Sequence, residues 1–235
     1  MRVVVVMPTY NERDNIERIA RAIIERPCQP RLLVVDDGSP DGTGEIVAKL
    51  AQELPGRISL LRRHEKNGLG RAYAAGFAAA LTELDPEVIV QMDADGSHDP
   101  ADIDRLVAAL DGADLVIGSR YMAGGDVVGW SKHREALSRA GNLYARTLLS
   151  TRLTDLTGGF KAWRAELLRK LHAETTENHG YGFQIEMTTR ARAAGATIVE
   201  IPIVFRERVA GSSKMSGRIA LEALRGVPAM RRILR

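Results

Sequence analysis

Four short apolar runs, separated by helical patterns, constrain the fold of this chain more than any other feature of its sequence. The runs show no alternation of apolar and polar side chains, which is typical of strands buried on both faces of a parallel sheet. They are residues 2–7, 32–35, 88–92 and 115–118. The helical patterns between them are residues 15–25, 44–54 and 72–84. This order predicts an α/β fold with a mostly parallel, doubly wound central sheet flanked by helices.

The composition fits one such domain. Hydrophobic residues make up 45% of the 235 residues but aromatic residues only 5%, so the core consists mainly of aliphatic side chains. The single cysteine, Cys28, excludes an internal disulfide, and no Cys/His cluster has the spacing of a zinc site. No run approaches the roughly 18 apolar residues of a membrane span, and the N-terminus lacks signal-peptide features. We therefore expect a protein that stays inside the cell.

The C-terminal segment is basic. Residues 206–235 contain eight of the 33 Lys and Arg residues but only two of the 30 acidic ones. We divide the chain into a domain at residues 1–216 and a basic amphipathic tail at residues 217–235. One helical face of the tail consists of Ile219, Ala223, Val227, Met230, Ile233 and Leu234. This face suits either an interfacial helix on an anionic membrane or packing onto the domain. The rest of the chain has no basic stripe for nucleic acid.

Polar residues directly follow three of the four apolar runs. In a doubly wound sheet, ligands bind beyond the carboxyl ends of the strands, so these segments are candidates for a shared crevice. They are residues 8–12, 36–42 and 93–98.

The segment 93–98 contains Asp93 and Asp95, separated by one residue. Two like charges so close repel each other unless a cation lies between them. Carboxylate oxygens select a hard ion, Mg²⁺ or Mn²⁺, which also bridges the oxygens of a diphosphate. Capping of the loop is the alternative interpretation. We interpret the neighbouring His98 as a surface or capping residue.

The segment 36–42 has two interpretations. It is either a turn that caps the following helix, with Asp41 or Thr43 as the cap, or a nucleotide-binding element. In the second case the Asp37 carboxylate accepts a hydrogen bond from the imino N–H of guanine or uracil. The residues do not distinguish the two bases.

Seven motifs occur in an order that points to one family. They are PTYNE at 8–12, VVDDGSPDGT at 34–43, NGLG at 67–70, DADGSH at 93–98, GSRY at 118–121, TGGF at 157–160 and the spaced residues Phe205, Arg208, Gly211, Ser213 and Lys214. As a set, they resemble the family 2 inverting glycosyltransferases of GT-A fold, and closely the dolichol-phosphate (polyprenol-phosphate) mannose synthases. The match runs from residue 3 to about residue 216.

This resemblance implies GDP-mannose as donor, a polyprenyl phosphate as acceptor, and inversion at the sugar carbon. It implies that the metal is held by Asp93, Asp95 and Ser97. It implies that the donor is held by Pro8, Tyr10, Glu12, Val35, Asp37, Asp93, Ala94, Asp95, Arg208 and Lys214. The groups implied in catalysis are Asp93, Asp95, Arg120, Arg134 and Arg208, where the arginines, together with Lys214, bind phosphate oxygens.

Three other functions are compatible with single features of this sequence. A UDP-glucose-dependent polyprenyl-phosphate glucosyltransferase shares the same motifs. A dinucleotide oxidoreductase would use the glycines at 68 and 70, but Tyr73 occupies the position of the third glycine. A non-catalytic nucleotide-binding module or a nucleic-acid-binding protein would use the basic tail, although the leading interpretation involves no nucleic acid. With a lipid acceptor, we expect the protein at the cytoplasmic face of a membrane, bound peripherally or through a separate anchoring subunit.

Overall fold

A seven-stranded sheet with helices on both faces forms the centre of the protein. The structure, a computed structural model, describes residues 1–64, 68–176, 180–207 and 226–234. Its strands are β1 Val3–Thr9, β2 Arg31–Asp36, β3 Ile58–Arg62, β4 Val88–Gln91, β5 Leu115–Ser119, β6 Asp126–Val128, β7 Lys161–Arg164, β8 Ile198–Pro202 and β9 Val204–Arg206. Its α-helices are α1 Arg13–Ile24, α2 Thr43–Glu53, α3 Leu69–Glu83, α4 Asp102–Ala108, α5 Lys132–Leu148, α6 Ala165–Leu171 and α7 Gly180–Ala193. Residues 226–230 are also helical, and Ala173–Thr175 and Arg231–Leu234 form 3₁₀ turns.

The strand order is β3-β2-β1-β4-β7-β5-β8. Strand β7 runs antiparallel to both of its neighbours, β4 and β5, whereas the other pairs in this sheet are parallel. Strands β6 and β9 form a separate two-stranded parallel sheet. The predicted α/β architecture with a mostly parallel sheet is confirmed.

The apolar runs form strands because both faces of the sheet are covered. In β1, Val3, Val5 and Met7 belong to one buried cluster, whereas Val4 and Val6 belong to the cluster on the opposite face. Helices α1, α2 and α4 cover the first face, and α3, α6 and α7 cover the second. A strand between two helical layers has no polar face, which explains the absence of alternation in the sequence.

Helix α3 lies unusually close to the sheet. At Gly76, an added Cβ would lie 2.4 Å from Cγ1 of Val6 and 2.8 Å from Cγ2 of Val35. Only glycine fits at this distance, so the position of α3 on the sheet is fixed by direct backbone approach.

The C-terminal residues pack onto the domain. Val227 and Met230 are buried in a small cluster with residues of α5 and α7, and Ile233 and Leu234 pack against it partly buried. These are four members of the predicted apolar face of the tail, and the other two, Ile219 and Ala223, lie outside the described residues. None of the helices in the described part of the chain combines the length and the apolar character needed to cross a bilayer.

Candidate active site

The polar segments predicted from the sequence lie at one edge of the sheet. The residues at the ends of β1, β2 and β4 lie there together because these neighbouring strands are parallel. The antiparallel strand β7 contributes its beginning at the same edge, where the Gly118 N–H donates to the Phe160 carbonyl at 2.9 Å. The motif at 157–160 therefore joins the crevice through a strand that the sequence pattern did not reveal.

The loop after β4 folds back on itself around Asp95. Oδ1 of Asp95 accepts hydrogen bonds from the Ser97 backbone N–H at 3.1 Å and from Ser97 Oγ at 2.6 Å. Gly96 between them has a positive φ of 79°, which this tight turn requires. The loop thus places the Asp95 carboxylate and the Ser97 hydroxyl together, although its Asx turn is also the capping arrangement considered above.

His98 is buried, so the interpretation as a surface residue is wrong, whereas the interpretation as a capping residue agrees with its hydrogen bond to the loop. Its Nδ1 accepts a hydrogen bond from the Asp93 backbone N–H at 3.2 Å, which places the ring proton on Nε2. Burial lowers the pKa of His98, although the nearby carboxylates of Asp93 and Asp95 oppose the shift. The ring stacks on Phe160 at 4.8 Å and contacts the edge of Phe205 at 5.5 Å. The neutral imidazole therefore caps the start of the acidic loop.

The Asp93 carboxylate is surrounded by residues that the sequence analysis did not assign to the site. The Tyr73 hydroxyl donates to its Oδ1 at 2.7 Å. On the other side, a Cβ at Gly159 would lie 3.2 Å from its Oδ2. Ala94, the next residue, is itself buried.

The residues predicted to hold the nucleoside gather where β1 and β2 end. Pro8 and Val35 are paired in the β1–β2 register, and both are buried. The Asn11 N–H donates to Ser39 Oγ at 3.0 Å, which joins the loop after β1 to the loop after β2. Tyr10 lies in the first of these loops and is partly exposed.

Glu12 and Asp37 have defined partners in this region. The Glu12 carboxylate accepts from Asn15 Nδ2 at 3.1 Å, and the Glu12 backbone N–H donates to Thr43 Oγ1 at 3.0 Å. Asp37 is buried and accepts from Nη1 of Arg63 at 2.6 Å. Arg63 lies directly after β3, a strand absent from the prediction, so its proximity could not be inferred.

The segment forms the predicted turn through two of its aspartates, but the predicted cap is wrong, because the N-cap residue of α2 is Gly42 rather than Asp41 or Thr43. Asp36 accepts hydrogen bonds from the backbone N–H and hydroxyl of Ser39, and Asp41 accepts from the N–H of Thr43 at 3.0 Å. Asp37 takes no part in those turn bonds.

Arg120 forms a buried ion pair. Its Nε and Nη2 donate to the two carboxylate oxygens of Asp155 at 2.6 and 2.7 Å, and Nη2 also donates to Thr157 Oγ1 at 2.8 Å. Burial alone would raise the pKa of Asp155, but the charge and hydrogen bonds of Arg120 lower it. The guanidinium thus fixes the loop before β7, and its role in binding phosphate stays a prediction.

Arg134 lies near the start of α5, in contact with an aromatic ring. Its guanidinium carbon is 4.1 Å from the centre of the Trp130 ring, and its Nη1 donates to Glu207 Oε2 at 2.6 Å. The Trp130 ring contacts Phe205, which in turn contacts His98. Ring contacts therefore connect Arg134 to the acidic loop. The remaining predicted cations, Arg208 and Lys214, lie outside the described residues.

The comparison with protein-family models identifies this arrangement. Residues 4–172 match the model described as glycosyl transferase family 2. The chain belongs to this family. Two curated members are each 47% identical over 224 residues, which is 95% of the chain. They are the polyprenol monophosphomannose synthase of Mycolicibacterium smegmatis, covered over 84% of its length, and the undecaprenyl-phosphate mannosyltransferase of Micrococcus luteus, covered over 91%. The family 2 enzyme thus falls among the polyprenol-phosphate mannose synthases.

A solved structure supports the fold of this family 2 enzyme. The glucosyl-3-phosphoglycerate synthase of Mycobacterium tuberculosis, in complex with Mn²⁺, UDP and glucosyl-3-phosphoglycerate, superimposes with a TM-score of 0.72 at 22% identity. The superposition covers 97% of this chain and 79% of that one.

The donor atoms of the acidic loop fit a divalent cation that a substrate helps to coordinate. Among the described residues, no three His, Cys, Asp or Glu side chains group closely enough to hold a metal ion by themselves. Asp93, Asp95 and Ser97 offer two carboxylates and a hydroxyl, and hard cations of this kind take their remaining oxygens from diphosphate and water.

Proposed function

We propose that this family 2 enzyme transfers mannose from GDP-mannose to a polyprenyl phosphate, with inversion at the sugar carbon. The observation that carries the proposal is the pair Asp93 and Asp95 at the end of β4, in a chain 47% identical to two enzymes named for this transfer. Mg²⁺ or Mn²⁺ would be held by Asp93, Asp95 and Ser97. When bound, such an ion neutralises the charge that develops on the leaving diphosphate.

The donor would bind along the ends of β1 and β2. The joined loops provide Tyr10 and Glu12, and the buried Asp37 carboxylate accepts from a base N–H. Arg63 holds the Asp37 carboxylate in place at the end of β2, with its Nη1 2.6 Å from Asp37 Oδ1.

The chemistry requires no general base. A lipid phosphate is an anion at neutral pH and attacks the sugar carbon directly, whereas a hydroxyl acceptor would first lose a proton. The residues therefore act by holding the two substrates and by neutralising charge. Arg134 would bind the acceptor phosphate together with Arg208 and Lys214, and Arg120 would contribute positive charge from behind the loop before β7.

The acceptor also suggests where the enzyme acts. Its lipid chain lies in a membrane, so we place the enzyme at the cytoplasmic face, bound peripherally or through a separate anchoring subunit. The basic C-terminal segment would be attracted to anionic lipids there.

The test is transfer of radiolabelled sugar from GDP-mannose, and in parallel from UDP-glucose, to a polyprenyl phosphate, with Mg²⁺ and with a chelator. We expect chelator-sensitive labelling of the lipid by GDP-mannose. Labelling from UDP-glucose alone would keep the mechanism and change the sugar, and labelling from neither donor would overturn the acceptor assignment.

The Asp95→Ala variant tests the metal site in the same assay. Because this substitution removes a metal ligand, we expect activity to fall by at least about 100-fold. Asp111→Ala, which removes an exposed carboxylate after α4, is the matched control. Near-normal transfer by Asp95→Ala would contradict the proposed role.

A further inference from the structure

Tyr73 is buried directly behind the acidic loop, and neither the motifs nor the proposed mechanism uses it. The residue is 0% exposed, and its hydroxyl donates to Oδ1 of Asp93 at 2.7 Å. The phenol hydroxyl has one proton to donate in a hydrogen bond, and the Asp93 carboxylate accepts that bond.

The position of the hydroxyl is set by the core rather than by the site. The Tyr73 ring is stacked parallel to Phe183 at 6.0 Å and tilted against Phe77 at 5.8 Å. Helix α3 itself is fixed by the close approach of Gly76 to Val6 and Val35. Because the ring is packed on these sides, the position of the hydroxyl is fixed, and the orientation of the Asp93 carboxylate follows from its hydrogen bond to that hydroxyl.

The two oxygens of Asp93 consequently differ. Oδ1 accepts the hydrogen bond of the Tyr73 hydroxyl, whereas Oδ2 is the oxygen nearer to Gly159, where an added Cβ would lie 3.2 Å from Oδ2 and 3.6 Å from Oδ1. A carboxylate with one oxygen in a fixed hydrogen bond presents the other in a defined direction. Partners of this kind orient metal ligands and typically change metal affinity by about 10- to 100-fold when removed.

We infer that Tyr73 is a positioning residue that orients Asp93 so that Oδ2 is the oxygen available to the metal ion. The inference rests on the proposed metal site and deepens it. In the sequence analysis, Tyr73 served only as evidence against a dinucleotide-binding motif. The inference assigns this residue a function of its own.

The experiment measures Mn²⁺ binding to the full-length protein by electron paramagnetic resonance, with GDP present and with GDP absent. In Tyr73→Phe the ring and its packing remain but the hydrogen bond is lost. We expect the dissociation constant for Mn²⁺ to increase by about tenfold or more. In transfer assays, the Mn²⁺ concentration for half-maximal activity should rise equally, and saturating Mn²⁺ should restore most of kcat.

Two variants separate orientation from packing. Phe77→Leu loosens one side of the aromatic packing without removing a polar atom, so it should lower Tm. Because Phe183 still holds the Tyr73 ring and the hydroxyl is kept, Mn²⁺ affinity should fall less than in Tyr73→Phe. Tyr144→Phe removes a hydroxyl from an exposed residue of α5 and should leave Mn²⁺ affinity unchanged.

The outcomes are distinguishable. If the wild-type protein binds no Mn²⁺ with or without GDP, the proposed metal site itself fails. If the wild-type protein binds Mn²⁺ and Tyr73→Phe binds it equally well, the positioning role is overturned while the metal site stands. A loss of affinity in Phe77→Leu as large as that in Tyr73→Phe would assign the effect to packing and would also overturn the inference.

Discussion

Gly159 controls the space around the carboxylate of Asp93. A methyl group at this position would lie 3.2 Å from Oδ2 of Asp93 and 3.6 Å from Nε2 of Gln184. The lack of a side chain at this position therefore leaves room next to the Asp93 carboxylate, and most of all next to Oδ2.

We expect Gly159→Ala to reduce metal affinity and transfer activity by about tenfold or more, because the methyl group would displace or cover the oxygen that we propose binds the metal. Mn²⁺ titration and the transfer assay measure the two effects. Gly141→Ala is the matched control, since an added Cβ at this position meets no atom within 4 Å. The substitution also replaces a glycine inside helix α5 with a better helix former. That control should gain about 0.5–1 kcal/mol in stability. Unchanged metal affinity in Gly159→Ala would contradict the role of this position.

Among individual residues of the candidate site, the sequence predicts those that lie together in the loop after β4. It does not predict those that reach this loop from other elements. Asp93, Asp95 and Ser97 are adjacent in sequence and directly follow a recognisable strand. Tyr73 comes from a helix, and Gly159 comes from a loop whose position depends on strand pairing. No local pattern carries that information, because the hydrogen bond and the steric contact arise only when α3 and β7 are packed.

Strand β7 places a lysine in the interior of the protein. Lys161 is 0% exposed, and its Nζ donates to the Gln184 carbonyl at 3.0 Å, to Gln184 Oε1 at 3.1 Å and to Thr188 Oγ1 at 2.9 Å. Gln184 Oε1 also accepts from Gln91 Nε2 at 2.8 Å. This network joins β4, β7 and α7 directly behind the acidic loop.

Burial lowers the pKa of Lys161 from its ordinary value of 10.5 to about 7, while the charge of Asp155 opposes the shift. Between these two pH values the unfolded chain binds this proton and the folded protein does not. The free energy of unfolding contributed by Lys161 therefore increases as the pH rises from about 7 towards 10.5.

We expect the stability of the wild-type protein relative to Lys161→Met to increase over that pH range. Urea denaturation of both proteins at several pH values gives the difference, in which the titration of shared groups cancels. Lys170→Met, at an exposed position on α6, controls for the loss of a lysine. A difference that stays constant with pH would show that Lys161 does not titrate as its burial indicates.

Whether a strand could be predicted from the sequence depended on how apolar it is. Strands β1, β2, β4 and β5 are recognised because both of their faces are buried and aliphatic. Strand β3 is an edge strand whose side chains are mostly only half-buried, and β7 has just four residues, of which Lys161 and Arg164 are charged. A short segment with a charged residue at each end is predicted to be a loop. The contacts that bury Lys161 come from α7 and are not visible in the sequence of the segment itself.

The described C-terminal residues belong to the packing of the whole molecule. Met230 is 3% exposed and shares a cluster with Ala145 and Leu149, near the end of α5, and with Ile185 of α7. The sequence predicted that the apolar face of the tail contacts either a membrane or the domain. The described residues of this face pack against the domain. Whether the preceding segment contacts lipid stays a prediction.

We expect Met230→Ala to lower the free energy of unfolding by about 2–4 kcal/mol, because it removes a buried side chain and leaves a cavity. Arg232→Ala, two residues later and exposed, should change stability by less than about 0.5 kcal/mol. Chemical denaturation of both variants measures the difference. Equal stability of the two variants would show that the C-terminal residues do not pack as described.

The antiparallel orientation of β7 has a consequence for how such enzymes diversify. Residues 120–160 leave the sheet at the end of β5 and return at the start of β7, its immediate neighbour, so both ends of this excursion are anchored at one edge. Lengthening a loop between fixed neighbouring ends costs little, about 0.6 kcal/mol for each doubling. The part of the excursion away from Asp155 and Gly159 can therefore be enlarged during evolution while the strands and loops on the other side of β4 stay intact. Under the proposed function, in which Arg134 binds the acceptor, a change of acceptor would need changes in this one excursion and none in the loops after β1 and β2.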